Sequence, residues 1–150
     1  MGIIANFTRL SDNFSKVDLT TLTSEVAAQN EPELAALNRK QLYEKGEDSE
    51  GNKLKKYRRA KYARVKHEMN PLPGLGNPDF YVTGDFQKSI FANVQNRSIV
   101  FDAKDRKSIF LVQRDGDKIY GLSSESKIEA WNTIIRPPLV QKINLITHSK

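Results

Sequence analysis

The 150-residue chain contains no cysteine and only two histidines, and these scarcities exclude several classes of function. Without cysteine there can be no structural disulfide, no thiolate nucleophile and no cysteine-ligated metal. His67 lies in a basic segment and His148 lies near the C-terminus, so neither has the neighbouring ligands that a metal site needs. The sequence therefore predicts no metal and no cofactor.

Long apolar runs are also missing from the chain. No stretch approaches the roughly eighteen apolar residues of a membrane-spanning helix, and the N-terminus lacks a cleavage pattern for secretion. The apolar fraction of 38% nevertheless exceeds that of a disordered chain. We expect a single domain over residues 1–150, in which residues 1–30 could form an N-terminal helical arm and residues 31–150 form the core.

Motifs for catalysis or nucleotide binding are scarce as well. Neighbouring carboxylates such as Asp102 and Asp105 occur where turns are expected, and capping a turn is a commoner role than acid and base catalysis. The segment from Gly74 to Gly76 lacks the lysine and hydroxyl residue of a phosphate loop, and also the strand and helix of a dinucleotide fold. The sequence therefore predicts a protein that is not an enzyme.

Positive charge is what the chain has in excess, with a formal net charge of +6. Much of this charge lies between Lys53 and Lys66, just after an acidic group that ends at Glu50. Such a block can contact phosphate or an acidic protein, but it can also be a solvated helix face. The candidate basic surface consists of Lys55, Lys56, Arg58, Arg59, Lys61 and Arg64.

Helices are predicted near the N-terminus from apolar residues at three- and four-residue spacing. The first apolar stripe consists of Phe7, Leu10, Phe14 and Val17. A second helix is expected from Glu31 to Lys45, with Asn30 as its cap and Gly46 as its stop.

The basic block is expected to form a further helix from Leu54 to Met69. Its imperfect buried side would consist of Leu54, Tyr57, Tyr62, Val65 and Met69, with the lysines and arginines on the other side. Tyrosines between cations also suit nucleic-acid binding, in which rings stack on bases. The inward orientation of the tyrosines is slightly favoured over base contact.

A proline and glycine loop is expected over residues 70–78, followed by a short helical turn from Gly84 to Ser89. Thr83 can cap this turn, and Asp85 lies favourably near its positive end. Phe86 lies one turn before Ile90, so these two side chains can anchor the turn in the core.

Strand character follows, with a hairpin formed by residues 91–95 and 98–102 around Asn96 and Arg97. The run from Lys107 to Arg114 could be a third strand or a short helix, which periodicity cannot decide, and a helix is preferred.

The last helical segment is expected to begin at Ser123 or Ser124 and to break at Pro137 and Pro138. Its first apolar face consists of Ile128, Trp131 and Ile135, and after the break it resumes with Leu139, Ile143 and Ile146. Trp131 is expected to be a core anchor. Together these elements predict an α+β fold with N-terminal helices, a small antiparallel sheet built on a central hairpin, and a C-terminal amphipathic helix.

Several segments taken in order resemble the neck and tail-completion proteins of tailed bacteriophages, the family of head-tail joining proteins. The segments are Leu42-Tyr43-Glu44-Lys45-Gly46, Gly51-Asn52-Lys53-Leu54, Tyr57, Tyr62, Lys66, Phe80-Tyr81-Val82-Thr83-Gly84-Asp85-Phe86 and Ser89-Ile90. The resemblance extends to the hairpin and the terminal helix. We expect the turn and cap residues Tyr43, Gly46, Thr83, Gly84, Asp85 and Phe86 to be structural anchors.

The resemblance implies a non-enzymatic virion protein that assembles into a homo-oligomeric ring at the head-tail junction. Such a ring would contact a portal or adaptor on one side and a tail terminator or tail tube on the other, without a membrane. The chain would pass through the host cytoplasm during assembly, and its basic surface would face passing DNA or an acidic neighbour. One competing hypothesis is a nucleic-acid-binding protein that acts alone through the segment from Lys53 to Lys66. A nuclease, the third hypothesis, would require an acidic or histidine cluster, which the sequence lacks.

Overall fold

The computed structural model describes residues 3–148, and it describes side chains for residues 8–148. In chain order the elements are α1 (Ile3–Ser15), α2 (Leu19–Gln29), α3 (Glu31–Lys40), α4 (Ala60–Met69), α5 (Asp85–Ser89), β1 (Ile90–Gln95), β2 (Ser98–Ala103), α6 (Ser108–Asp115), α7 (Ser124–Ala130) and α8 (Arg136–Thr147). The π-helical turns Gln41–Lys45 and Trp131–Ile135 extend α3 and α7, and a 3-10 turn, Asp117–Ile119, follows α6. The fold is α+β, as the sequence predicts.

α1 confirms the predicted N-terminal helix, although it ends at Ser15, before Val17. The side chain of Phe7 lies outside the described residues. α1 contacts α8, and the Asn13 Nδ2 atom donates a hydrogen bond of 3.2 Å to the Thr147 carbonyl. The ring of Phe14 remains exposed. The division between an arm over residues 1–30 and a core stays a prediction.

The predicted second helix is confirmed as α3 and the π-helical turn that follows it. Gly46 ends it as predicted, with a left-handed φ of 57° and an N–H that donates to the Leu42 carbonyl at 3.1 Å. Asn30 occupies the predicted N-cap position, but its side chain makes no capping hydrogen bond and donates back to the Val26 carbonyl at 2.7 Å. Pro32 lies in the first turn of α3, where no N–H donor is needed.

The helix predicted over residues 54–69 is only half present, since α4 begins at Ala60. Backbone donors in the first half bond to other loops: the Leu54 N–H donates to the Gly46 carbonyl at 3.0 Å and the Tyr57 N–H to the Gly76 carbonyl at 2.9 Å. These tertiary bonds replace helical ones, so the predicted start was wrong.

The predicted buried side of this segment is also mostly wrong. Leu54 is buried as expected, but the side chains of Tyr62, Val65 and Met69 are exposed. α4 buries Ala63 and Lys66 instead. The apolar spacing was therefore read on the wrong face of the helix.

The loop over residues 70–78 and the central hairpin are confirmed. β1 and β2 pair antiparallel from Ile90↔Ala103 to Gln95↔Ser98. Asn96 and Arg97 have φ angles of 48° and 65°, as the tight turn between twisted strands requires. The run 107–114 forms the preferred helix, α6.

α3 covers the free edge of β1. The Val94 N–H donates to the Glu31 carboxylate at 2.7 Å, and the Arg39 guanidinium donates to the Ile90 carbonyl at 3.3 Å. These two bonds fix the hairpin against the helical layer.

The predicted break at Pro137 and Pro138 is wrong, because the chain is helical from Ser124 to Thr147. Both prolines lie in the first turn of α8, directly after a π-helical turn, where missing N–H donors cost little. Ser123 caps the segment as predicted, accepting a hydrogen bond from the Ser126 N–H at 3.3 Å.

Trp131 is not the core anchor that the sequence predicts, since 45% of its surface is exposed. Ile128 is also exposed, whereas Ile135 and Leu139 are buried. The π-helical turn Trp131–Ile135 interrupts the regular helical period on which the predicted face rests.

Two apolar clusters form the core. The first joins α2, α3, β1 and the C-terminal helices through residues such as Val26, Leu34 and Leu139. The second includes Leu42, Phe86 and Ile119 and lies beneath the segment that follows the proline loop. The second cluster positions the candidate site.

Candidate functional site

A buried polar hub connects α4 to the segment after the proline loop. The Lys66 ammonium lies 2.8 Å from the Asp79 carboxylate, and both side chains are at least nine-tenths buried. Asp79 also accepts from the Tyr81 N–H at 3.0 Å and from the Asn70 amide at 3.1 Å. Lys66 donates in addition to the Tyr81 carbonyl, and Asn70 to the Tyr43 carbonyl. Each buried charge therefore has partners, which is what allows it to remain in the interior.

Tyr43 and Gly46, two of the predicted anchors, lie against this same segment. The rings of Tyr43 and Tyr81 meet edge to face with centroids 5.3 Å apart. A Cβ atom at Gly46 would lie 2.6 Å from the Pro78 carbonyl oxygen, so the proline loop approaches closer than any side chain permits. Both residues hold the loop against the end of the π-helical turn Gln41–Lys45.

The turn over residues 83–86 has the predicted conformation with one difference. Gly84, with a φ of 84°, occupies the N-cap of α5, and a Cβ atom there would lie 2.9 Å from the Tyr81 ring. The Thr83 hydroxyl donates to the Asp85 carboxylate at 2.6 Å, and its distance of 3.5 Å from the Asp85 N–H is long for a hydrogen bond. The prediction of Thr83 as the cap is therefore wrong, since Gly84 takes that position, whereas Phe86 is buried as an anchor.

An apolar slot of about 330 Å³ opens beside this turn. Its walls come from residues 80–86, from α6 and from the rings of Tyr57 and Tyr62. Phe110 of α6 stands at the slot with 70% of its surface exposed, and Lys107 lies one turn before it. We call this cavity the apolar slot. The sequence does not predict this cavity, because its walls come from three separate segments.

Arg114 forms one wall of the apolar slot. Its guanidinium carbon lies 5.4 Å from the centre of the Phe80 ring and 5.9 Å from that of Tyr57. Its Nε donates to the Asp115 carboxylate at 2.6 Å, but Nη2 is buried and has no acceptor among the described residues. Burial, with a smaller contribution from the Asp79 carboxylate, raises the pKa of Tyr57 well above its usual range, so this ring stays neutral at pH 7.

A second depression, of about 540 Å³, shares the side chains of Tyr57 and Arg114 with the slot. Its other lining includes Lys55, Lys56 and Arg58, so the structure brings these three predicted residues together. The Lys55 ammonium donates to the Arg114 carbonyl at 2.6 Å, which fixes it at the rim. We call this region the cationic depression.

Arg59, Lys61 and Arg64, the other predicted basic residues, lie outside the cationic depression. Arg59 precedes α4, and Lys61 and Arg64 lie exposed on the helix. All the ion pairs of the described side chains use other residues, so none of the six predicted cations is neutralised by a neighbouring carboxylate. The six predicted cations therefore lack an ion pair among the described side chains, and three of them line a depression.

Within residues 3–148, no group of three histidine or carboxylate side chains could hold a metal ion. None of the described helices has the length and apolar character that crossing a membrane requires. No protein-family model, curated protein or solved structure matches this chain.

Proposed function

We propose that the chain is a structural virion protein of a tailed bacteriophage that forms a homo-oligomeric ring at the head-tail junction. The ring would join a portal or adaptor to the tail tube or tail terminator, and it would assemble in the host cytoplasm. The observation that carries the proposal is the convergence of the motif residues on one exposed site. Residues 83–86 line the apolar slot, and Tyr43 and Gly46 support the loop behind it.

Exposed apolar side chains support an assembly role, because large apolar surface on a folded protein marks contacts with other molecules. Val82 and Phe110 are exposed at the slot, and Ile128 and Leu145 are exposed on the C-terminal helices. A ring requires two different surfaces on each subunit, one for each neighbour. Exposed apolar side chains of the described chain lie in two separate regions, beside the slot and on the C-terminal helices, which suits two different contacts.

The six unpaired cations fit the same role. A ring through which DNA passes benefits from a basic lining, since positive potential attracts the phosphate backbone without requiring a sequence. The same cations could instead meet an acidic neighbouring protein. Either contact is expected of a subunit that binds neighbouring molecules in an assembly.

Deletion of the gene from the phage genome tests this proposal. We expect lysates to accumulate DNA-filled heads and separate tails, as seen by negative-stain electron microscopy, and a plasmid copy to restore joined particles. Joined, infectious particles at the normal yield in the deletion strain would overturn the proposal.

A nucleic-acid-binding protein that acts alone is the second candidate, and it is favoured because the six predicted cations form no ion pair with any side chain that the structure describes. This candidate predicts that the purified chain binds duplex DNA with an affinity that falls steeply with salt. If the monomer binds DNA in this salt-dependent way and the deletion strain produces normal particles, the nucleic-acid-binding protein would be favoured over the ring subunit.

A further inference from the structure

We propose that the apolar slot and the cationic depression together bind one acidic peptide segment of a neighbouring protein. A large apolar side chain of that segment fills the slot, and flanking carboxylates meet the cationic depression. This inference rests on the proposed function, in which the partner is a neighbouring protein. It adds the chemistry of the segment that the partner would contribute.

The lining of the slot selects an apolar side chain. The rings of Phe80 and Phe86 are buried in its base, while Val82 and Phe110 are exposed at it. Most of the lining is apolar or aromatic, and the Thr83 hydroxyl already donates to the Asp85 carboxylate. A leucine or an aromatic ring would therefore fill the slot without bringing in polar atoms that need partners.

The cationic depression selects carboxylates. Lys55, Lys56 and Arg58 line it, and none of the described residues in its lining is a carboxylate. Arg114 also lines it, but its Nε already donates to the Asp115 carboxylate and its Nη2 is buried, so the partner's charges are expected to meet the other three cations. Charge complementarity therefore points to an acidic segment.

The two cavities are contiguous, because Tyr57 and Arg114 line both. One short segment can therefore fill the slot and reach the depression without bridging exposed solvent. On the slot side the lining mixes the Asp85 carboxylate with the cations Lys107 and Arg114, so it does not offer the continuous positive charge that a phosphate backbone follows. A peptide can place its uncharged side chain there and its charges on the other side, which favours a peptide over a nucleic acid.

Fluorescence anisotropy with the purified full-length chain tests the inference. The probe is a fluorescein-labelled peptide in which one tryptophan is followed by four glutamates, so that all the charges lie on one side of the anchor, and a second probe replaces the tryptophan with alanine. We expect the tryptophan peptide to bind about tenfold more tightly than the alanine peptide, as expected when one buried anchor dominates an interface.

Two pairs of variants locate the site. Phe110→Ala should weaken binding of the tryptophan peptide about tenfold, whereas Ile109→Ala, an exposed neighbour outside the slot, should change it less than about twofold. Arg58→Ser should also weaken binding, whereas Arg106→Ser, exposed but outside both cavities, should not. The alanine peptide should be insensitive to Phe110→Ala.

The inference would be overturned if both peptides bound equally tightly, or if Phe110→Ala and Ile109→Ala weakened binding equally. It would also be overturned if single-stranded DNA displaced the peptide and Phe110→Ala abolished that displacement. Failure here would leave the ring proposal standing if the deletion strain still produced unjoined heads and tails. Peptide binding together with normal particles in that strain would instead retain the slot and reject the ring.

Discussion

The two sides of α4 carry the same kind of charge in opposite environments. Lys66 lies inward, nine-tenths buried, with the Asp79 carboxylate at 2.8 Å. Lys61 and Arg64 lie outward on the same helix, exposed and without an ion pair in the described part of the chain. A buried charge must be satisfied for the fold to form, whereas an exposed charge contributes little to stability and is free for a partner. The basic block thus combines one structural lysine with a contact surface.

Lys66→Met is the variant with the largest expected effect, because it leaves the buried Asp79 carboxylate without its cation. Loss of one partner of a buried pair costs about 3–5 kcal/mol. Urea denaturation followed by circular dichroism measures the free energy of unfolding. Lys61→Met is the matched control on the outer side and should change it by less than about 0.5 kcal/mol. Similar losses for the two variants would remove the distinction between the two sides.

Gly84→Val should also destabilise the chain, because a side chain there meets the Tyr81 ring at 2.9 Å. Gly76 has the same φ of 84°, but the nearest atom to its Cβ belongs to the flexible Lys56 side chain at 3.6 Å. Both variants carry a left-handed backbone cost of about 1–3 kcal/mol. We expect Gly84→Val to lose at least about 1 kcal/mol more than Gly76→Val, beyond that shared cost.

Thermal unfolding of the two glycine variants measures this difference. An unchanged melting temperature for Gly84→Val would contradict the close packing of the turn against Tyr81. Equal losses for both glycines would mean that backbone strain alone decides the effect.

The double variant Lys61→Ser and Arg64→Ser tests whether the exposed cations of α4 serve binding rather than stability. Stability should change by less than about 0.5 kcal/mol, since neither residue has a described ion partner. Binding to duplex DNA should weaken, and the slope of the logarithm of the binding constant against that of salt should fall by about one per cation in contact. A large loss of stability with unchanged DNA binding would place these cations in the fold instead.

The smallest expected effect concerns Asp18, an exposed charge that does have backbone partners. Its carboxylate accepts from the N–H groups of Thr20 and Thr21 at the start of α2. The hydrogen bond from the Thr21 side chain, followed by that from its backbone, lowers the pKa of Asp18. A lowered pKa stabilises the fold above the unfolded pKa, and this stabilisation is lost as the pH falls through the folded value.

We therefore expect Asp18→Ala to lower the melting temperature at pH 7, and the difference from the wild type to shrink below about pH 4. Melting curves at both pH values check this. A difference that grows on acidification would contradict the capping role of the ionised carboxylate.

Features determined by neighbouring residues were predictable from the sequence. Gly46 and Gly84 lie where the chain needs left-handed φ angles, and Asn96 and Arg97 form the tight hairpin turn. α6 was preferred correctly over a strand, although its spacing alone did not decide the matter. Local turn chemistry needs no knowledge of the tertiary structure.

Features determined by distant residues were missed. The first half of the basic block is not helical, because its N–H donors bond to Gly46 and Gly76 in other loops. Lys66 is buried because Asp79 lies across the proline loop, a pairing that periodicity cannot show. Trp131 is exposed at the start of a π-helical turn, and a regular helical period does not predict such a turn. The apolar slot was missed for the same reason, since three separate segments form it.

The most direct measurement is a cryo-electron microscopy map of phage particles that carry an epitope-tagged copy of this chain. If the chain is a ring subunit, we expect ring-shaped density for it between capsid and tail. The apolar slot should be covered by a neighbouring protein, and the outer side of α4 should face DNA or an acidic surface. Joined particles in which the chain is absent from the junction would contradict the proposed role as a ring subunit.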